Sequence, residues 1–178
     1  MKKEDLLEQT LRSVRVSQNH VFFWGSCFSN WAPSEFGIND EKGKTLKFYN
    51  SEQYFMYKKA IAFGDEETAL RILKEGKNPR TAKSLGRMVK NYDDAKWNEL
   101  RFDVMKEACL LKFSQNEDLK AMLLLDKFKD KGFVEGSPED RIWGIGIHWE
   151  EASDDETTWK GQNLLGKSLD YVRETLLK

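Results

Sequence analysis

The chain has 178 residues, with 29 Lys and Arg against 30 Asp and Glu, a formal net charge of -1. The length corresponds to about one domain of ~100–200 residues. The charge balance excludes a protein that holds nucleic acid mainly along a basic face, while leaving room for a small basic pocket. Two widely separated cysteines, Cys27 and Cys109, and two histidines, His20 and His148, cannot assemble a His/Cys zinc cluster, so neither a metal nor another cofactor is expected and a reduced, cytoplasmic chain fits best.

No apolar run approaches the ~20 residues of a membrane span, and MKKEDLLEQ has no signal-peptide core, so no membrane partner is expected. Residues 4–14 read as a short amphipathic helix with Leu7, Leu11 and Val14 on one side. HVFFW, residues 20–24, reads as a strand ended by Gly25. A loop follows through Cys27–Gly37, and Thr45–Tyr49 reads as a second strand after a turn at 39–44.

Asn50 with Gln53 three positions on resembles a capping box for a helix running to about Phe63. Gly64 ends it, Asp65 caps a helix over Glu66–Glu75, and Gly76 ends that. Asn78-Pro79 opens a third helix in the expected order of cap and then proline. Asp93 or Asp94 opens a longer one, with Trp97, Leu100, Val104, Ala108 and Leu111 at helical spacing. Leu119–Leu125 is again helical. Gly132–Glu135 and Ile142–His148 read as strand-like, an acidic loop spans 150–158, and Gly161 onward reads as a final helix. The expected fold is α+β, mainly helical, a compact single domain with a few short strands.

Glu52 would be the second residue of the helix capped by Asn50, where unpaired amides and the macrodipole favour a negative charge. Such a carboxylate suits stabilising positive charge or accepting a proton, although an acid in a first turn also simply supports the helix. Asp140, in D-R-I-W-G-I-G, places a second carboxylate before Trp143 and backbone that a ligand can approach closely; it reads equally as a turn acid after Pro138. Asn163 and Gly166 lie where the last helix begins, a place that favours anions. Lys59 and Arg87 are candidate phosphate binders. Neither cysteine has a nearby histidine to make it a nucleophile, and His148 reads as structural. Of six tryptophans, Trp97, Trp143 and Trp31 are candidates for stacking on a base or sugar, and the others read as packing.

Taken in order, F-S-N-W (28–31), N-S-E-Q-Y-F (50–55) with Lys59, L-G-R (85–87), Trp97 in K-W-N-E-L, D-R-I-W-G-I-G (140–146) and W-K-G-Q-N-L-L-G-K-S-L (159–169) resemble the NADAR, or YbiA-like, family. The resemblance covers the chain from about Phe22 and leaves residues 1–19 as an N-terminal helical extension before a domain at 20–178. It implies an N-glycosidase that hydrolyses a ribose C1–N bond. The expected substrate is ADP-ribose on modified guanine in DNA or RNA; the alternatives are phosphoribosylamino-pyrimidine intermediates of riboflavin synthesis, or a non-catalytic ADP-ribose-binding module.

The family's acid corresponds to Glu52, and its functional tryptophans to Trp97 and Trp143. Asn30, Trp31, Lys59, Arg87 and Asn163 complete the expected substrate contacts. Some relatives carry an acid where this chain has Ile145, which makes Asp140 the candidate second carboxylate. A plain helical interaction protein, with every aromatic in the core, is the reading that lies outside the resemblance. Oligomeric state is not readable from these residues.

Overall fold

The computed structural model describes residues 3–178. In chain order the elements are α1 (Lys3–Arg12), β1 (Val14–Val16), β2 (His20–Phe23), β3 (Phe36–Asn39), β4 (Thr45–Phe48), α2 (Ser51–Ala62), α3 (Glu66–Glu75), α4 (Pro79–Gly86), α5 (Asp94–Ser114), α6 (Glu117–Leu123), β5 (Gly132–Glu135) and α7 (Leu164–Leu176). The fold is therefore α+β and mainly helical. The described residues form two compact units: residues 3–32 together with Glu117–Lys178, and Pro33–Asn116.

In the first unit a three-stranded sheet has the order β1-β2-β5. β1 pairs antiparallel with β2, and β2 pairs parallel with β5, placing His20 opposite Gly132 and Phe23 opposite Glu135. All four residues of β2 are buried, as a strand flanked on both sides requires. Phe23, Phe28, Phe128 and Phe133 meet edge-on or tilted, at centroid separations of 4.9 to 6.5 Å. α7 packs on β5, and α1 packs on α6. The helix expected over residues 4–14 stops at Arg12: Ser13 closes its last turn through its amide and hydroxyl on Gln9 and Thr10, and Val14 then pairs with Phe23 in the sheet.

In the second unit α2 is the hub, packing against α3, α4 and α5. Four expected caps are formed by side-chain oxygens: Asn50 accepts from the Gln53 amide, Asp65 from Thr68, Asn78 from Arg80 and Asp93 from Lys96. The β3–β4 hairpin adds Phe36 and Phe48, which pack with Tyr54 of α2. Its outer edge is closed by Gln115, whose amide accepts from the Gly37 N–H and donates to the Gly37 carbonyl, both at 2.9 Å.

The expected strand at 142–148 does not form. One Asp140 carboxylate oxygen accepts from the amides of Ile142 (2.8 Å) and Trp143 (2.7 Å), and the Asp140 carbonyl accepts from Gly146. These bonds curl the backbone into a loop, an arrangement that competes directly with extended pairing.

Candidate active site

The second unit carries Glu52, Lys59, Arg87 and Trp97. Glu52 is the second residue of α2 and is only 3% exposed. Its position is fixed from both sides of the cap. Asn50 Oδ1 accepts from the Gln53 amide (2.8 Å), while Gln53 Oε1 accepts from the Tyr49 amide (2.9 Å). Asn50 Nδ2 and Gln53 Nε2 donate onward to the carbonyls of Lys77 and Ile72. The first turn of α2 is thereby tied to α3, and its carboxylate is preorganised where the helix dipole favours a negative charge. Ser51 Oγ beside it is buried and has no hydrogen-bond partner, an uncommon state for a buried hydroxyl. Sequence reasoning passed over Ser51, whose one signal was its place inside N-S-E-Q-Y-F.

Lys59, seven residues after Glu52, lies on the same side of α2. Its ammonium donates to the Gly86 carbonyl at 2.9 Å and sits 4.1 Å from the centre of the Tyr92 ring. Burial pushes its pKa down, with Asp94 opposing. The lysine thus ties α2 to the end of α4. Arg87, the next residue, is exposed and closes α4 through its own amide. Trp97 is 6% exposed and meets Phe55 and Phe63 at tilted angles, with centroids 5.0 and 6.4 Å away, so it is part of the aromatic core of this unit.

The first unit carries the other candidates, four of them on the loops that leave the carboxyl ends of the parallel pair β2 and β5. After β2, tight turns between Ser26, Ser29 and Ala32 hold Asn30 buried and leave Trp31 exposed. After β5, Asp140 fixes the amide of half-buried Trp143 as described. The strip 160–165 supports this loop from behind. The amides of Lys160, Gln162, Asn163, Leu164 and Leu165 donate to the carbonyls of Ile145, Arg141, Gly144, Ile142 and Trp143.

Asn163 stands inside that strip in the left-handed region, φ 54°, and caps nothing with its side chain. Its Oδ1 accepts from the Glu135 amide (3.0 Å) and its Nδ2 donates to the Phe133 carbonyl (2.9 Å). Both ends of the amide are therefore used to latch α7 onto β5. Gly166 lies against the same latch, with no room for a Cβ beside the Phe133 carbonyl and the Asn163 side chain. Ile145 is fully buried among Phe22, Val134 and Ala152, a setting that would penalise an acid heavily. Among the described residues no cluster of three or more His, Cys, Asp or Glu is placed to hold a metal ion, and no helix is long and apolar enough to cross a membrane.

The order of these segments agrees with one family model, that of the NADAR domain, which matches residues 22–177. The chain belongs to the NADAR family. Protein irg-1 of Caenorhabditis elegans is 44% identical over 88% of this chain and 78% of its own length. An N-glycosidase of Acanthamoeba polyphaga mimivirus is 38% identical over 89% of this chain and 96% of its own length. N-glycosidase YbiA of Escherichia coli is 32% identical over 84% of this chain and 80% of its own length. The solved structure of the E. coli YbiA protein superposes with a TM-score of 0.70 at 26% identity, covering 96% of this chain and 92% of that one. The α+β, mainly helical fold of this NADAR chain is thus that of YbiA, and the family model leaves α1, β1 and the first residues of β2 outside its span.

Proposed function

We propose that this chain hydrolyses the ribose C1–N bond of ADP-ribose attached to guanine in nucleic acid, with Glu52 as the carboxylate that stabilises the reacting sugar. The broader activity is that of its named relatives: the chain is a hydrolase acting on N-glycosyl bonds. Breaking such a bond builds positive charge on the sugar as the base departs, and a fixed carboxylate stabilises that charge and can activate water.

The observation that carries the assignment is the burial of Glu52 at 3% exposure in a first helical turn locked by the Asn50–Gln53 cap. Ser51, buried and without a partner, is the candidate for a polar contact to the sugar. Within the first unit taken by itself, half-buried Trp143, whose amide Asp140 holds, is a candidate stacking surface. Trp31 and Trp24, 37% and 46% exposed, support a substrate with bases to stack. The net charge of -1 favours a short single-stranded contact over a duplex held by phosphate charge.

The test is release of ADP-ribose from ADP-ribosylated guanine in single-stranded DNA, run beside a phosphoribosylamino-pyrimidine and beside plain ADP-ribose binding. Glu52→Gln should fold normally and lose about 10²–10³ in turnover, the cost of removing one preorganised electrostatic group. Normal turnover in a folded Glu52→Gln protein refutes the role of Glu52. Cleavage of the pyrimidine alone assigns the smaller substrate, and tight ADP-ribose binding without product from either substrate assigns a binding module.

A further inference from the structure

A polar cluster in the first unit is formed by residues that the proposed reaction does not use. His20, at the start of β2, is buried. Its Nδ1 lies 2.8 Å from Asp154 Oδ1 and its Nε2 lies 3.1 Å from Glu156 Oε1. Both carboxylates belong to the acidic loop after Trp149. A neutral imidazole carries one N–H, and only the imidazolium can donate from both nitrogens at once.

The rest of the same stretch grips the same loop. Arg15 donates to the carbonyls of Trp149 (3.0 Å) and Ala152 (2.5 Å). Ser17 Oγ and the Asn19 amide donate to Asp154. The Trp159 ring, just after the short 3-10 turn Glu156–Thr158, meets the His20 ring edge-on at 5.1 Å. From there the chain enters the 160–165 strip, which carries the backbone of the Trp143 loop.

We infer that His20 is a proton-dependent positioning residue: as an imidazolium it locks the acidic loop through Asp154 and Glu156, and loss of its proton releases Glu156 and the turn behind the Trp143 segment. The two carboxylates are not equivalent. Asp154 also holds Ser17 and the Asn19 amide, and its side chain is 30% exposed, whereas that of Glu156 is 68% exposed. The neutral tautomer that keeps Nδ1–H on Asp154 therefore turns a lone pair toward Glu156. Two further charged groups lie on this side: Asp170 of α7, which a Cβ added at Gly132 of β5 would touch together with His20 and whose pKa burial pushes up to about 6, and Lys131, whose ammonium donates to the Ser17 and Gln18 carbonyls just before His20.

This inference concerns the order of the loop and stands apart from the identity of the substrate. Hydrogen exchange of residues 149–159, expressed as protection relative to intrinsic rates, tests it at about pH 5.5 and about pH 8.5, measured also in Asp170→Asn because Asp170 changes charge over the same interval. In the native protein protection of 156–159 should fall about three- to tenfold at the higher pH, the scale of one exposed charge-assisted contact. Glu156→Gln should hold the turn equally at both values, because an amide can accept from the imidazolium or donate to the neutral ring. His20→Gln, with one donor group for two acceptors, should be loose at both. Equal protection of the native turn at the two pH values overturns the inference, as does an unchanged pH dependence in Glu156→Gln.

Discussion

Replacing Asn163 with alanine separates packing from substrate binding at a residue whose sequence position suggested phosphate contact. The side chain makes two buried hydrogen bonds, from the Glu135 amide and to the Phe133 carbonyl. Alanine leaves that donor and acceptor facing each other across an apolar gap, at about 1–3 kcal/mol for each unsatisfied group. The left-handed backbone at φ 54°, which asparagine tolerates and alanine does not favour, adds roughly 1 kcal/mol. The expected loss is about 3–7 kcal/mol. For a chain of this length each kcal/mol lowers Tm by about 2–4 °C, so thermal or urea unfolding should place the midpoint at least about 6 °C below that of the parent. Gly166→Ala attacks the same latch from the other side, and the double variant should lose less than the two singles together, because the contact is broken once. A folded Asn163→Ala protein with unchanged Tm and weakened substrate affinity would refute the latch and return Asn163 to the substrate.

Two further outcomes follow from burial. Asp170 is pushed up to about 6 by burial, which outweighs its bond from the Phe133 amide and the Arg173 charge. The native carboxyl therefore keeps its proton at pH values where the unfolded chain has lost it, so this contribution is intact below about pH 4 and is lost as pH rises through about 6. The displacement is worth roughly 2–3 kcal/mol, and Asp170→Asn, which retains a carbonyl for the Phe133 amide, should flatten urea-unfolding stability across that window by this amount; an unchanged pH slope refutes it. Ile145→Asp should cost more than about 3 kcal/mol at pH 8 and less at pH 5, where the acid can be buried neutral; a loss below 1 kcal/mol at pH 8 would show that residue 145 does not bury its side chain.

The helices of the second unit were legible because their signals are local. Asn50, Asp65, Asn78-Pro79 and Asp93 each act within three residues of themselves, and each caps its helix as read. β1 and β3 were not, being three and four residues long and held by partners elsewhere in the chain. The stretch 142–148 has the composition of a strand, yet the carboxylate of Asp140 captures its first amides. That capture is as local as the helix caps, an Asx-type turn acting two and three residues on, and the apolar, glycine-bearing composition of the stretch masked it.

The candidate site divides along the same line. Residue type and motif order singled out Glu52, and local physics accounts for it, since a helix cap and a helix dipole are properties of adjacent residues. Asn163 and Lys59 were singled out by type as well, but type does not reveal that their donors are committed to the carbonyls of Phe133 and Gly86. Trp97 is buried beside Phe55 and Phe63, and only a three-dimensional neighbourhood distinguishes it from an exposed tryptophan. A polar or aromatic residue in a conserved-looking motif can thus hold the scaffold that presents another group. For Glu52 and Ser51 the same local physics sets the position in the first turn of α2, and the buried Ser51 hydroxyl has no hydrogen-bond partner among the described residues, an uncommon state that a polar ligand would relieve.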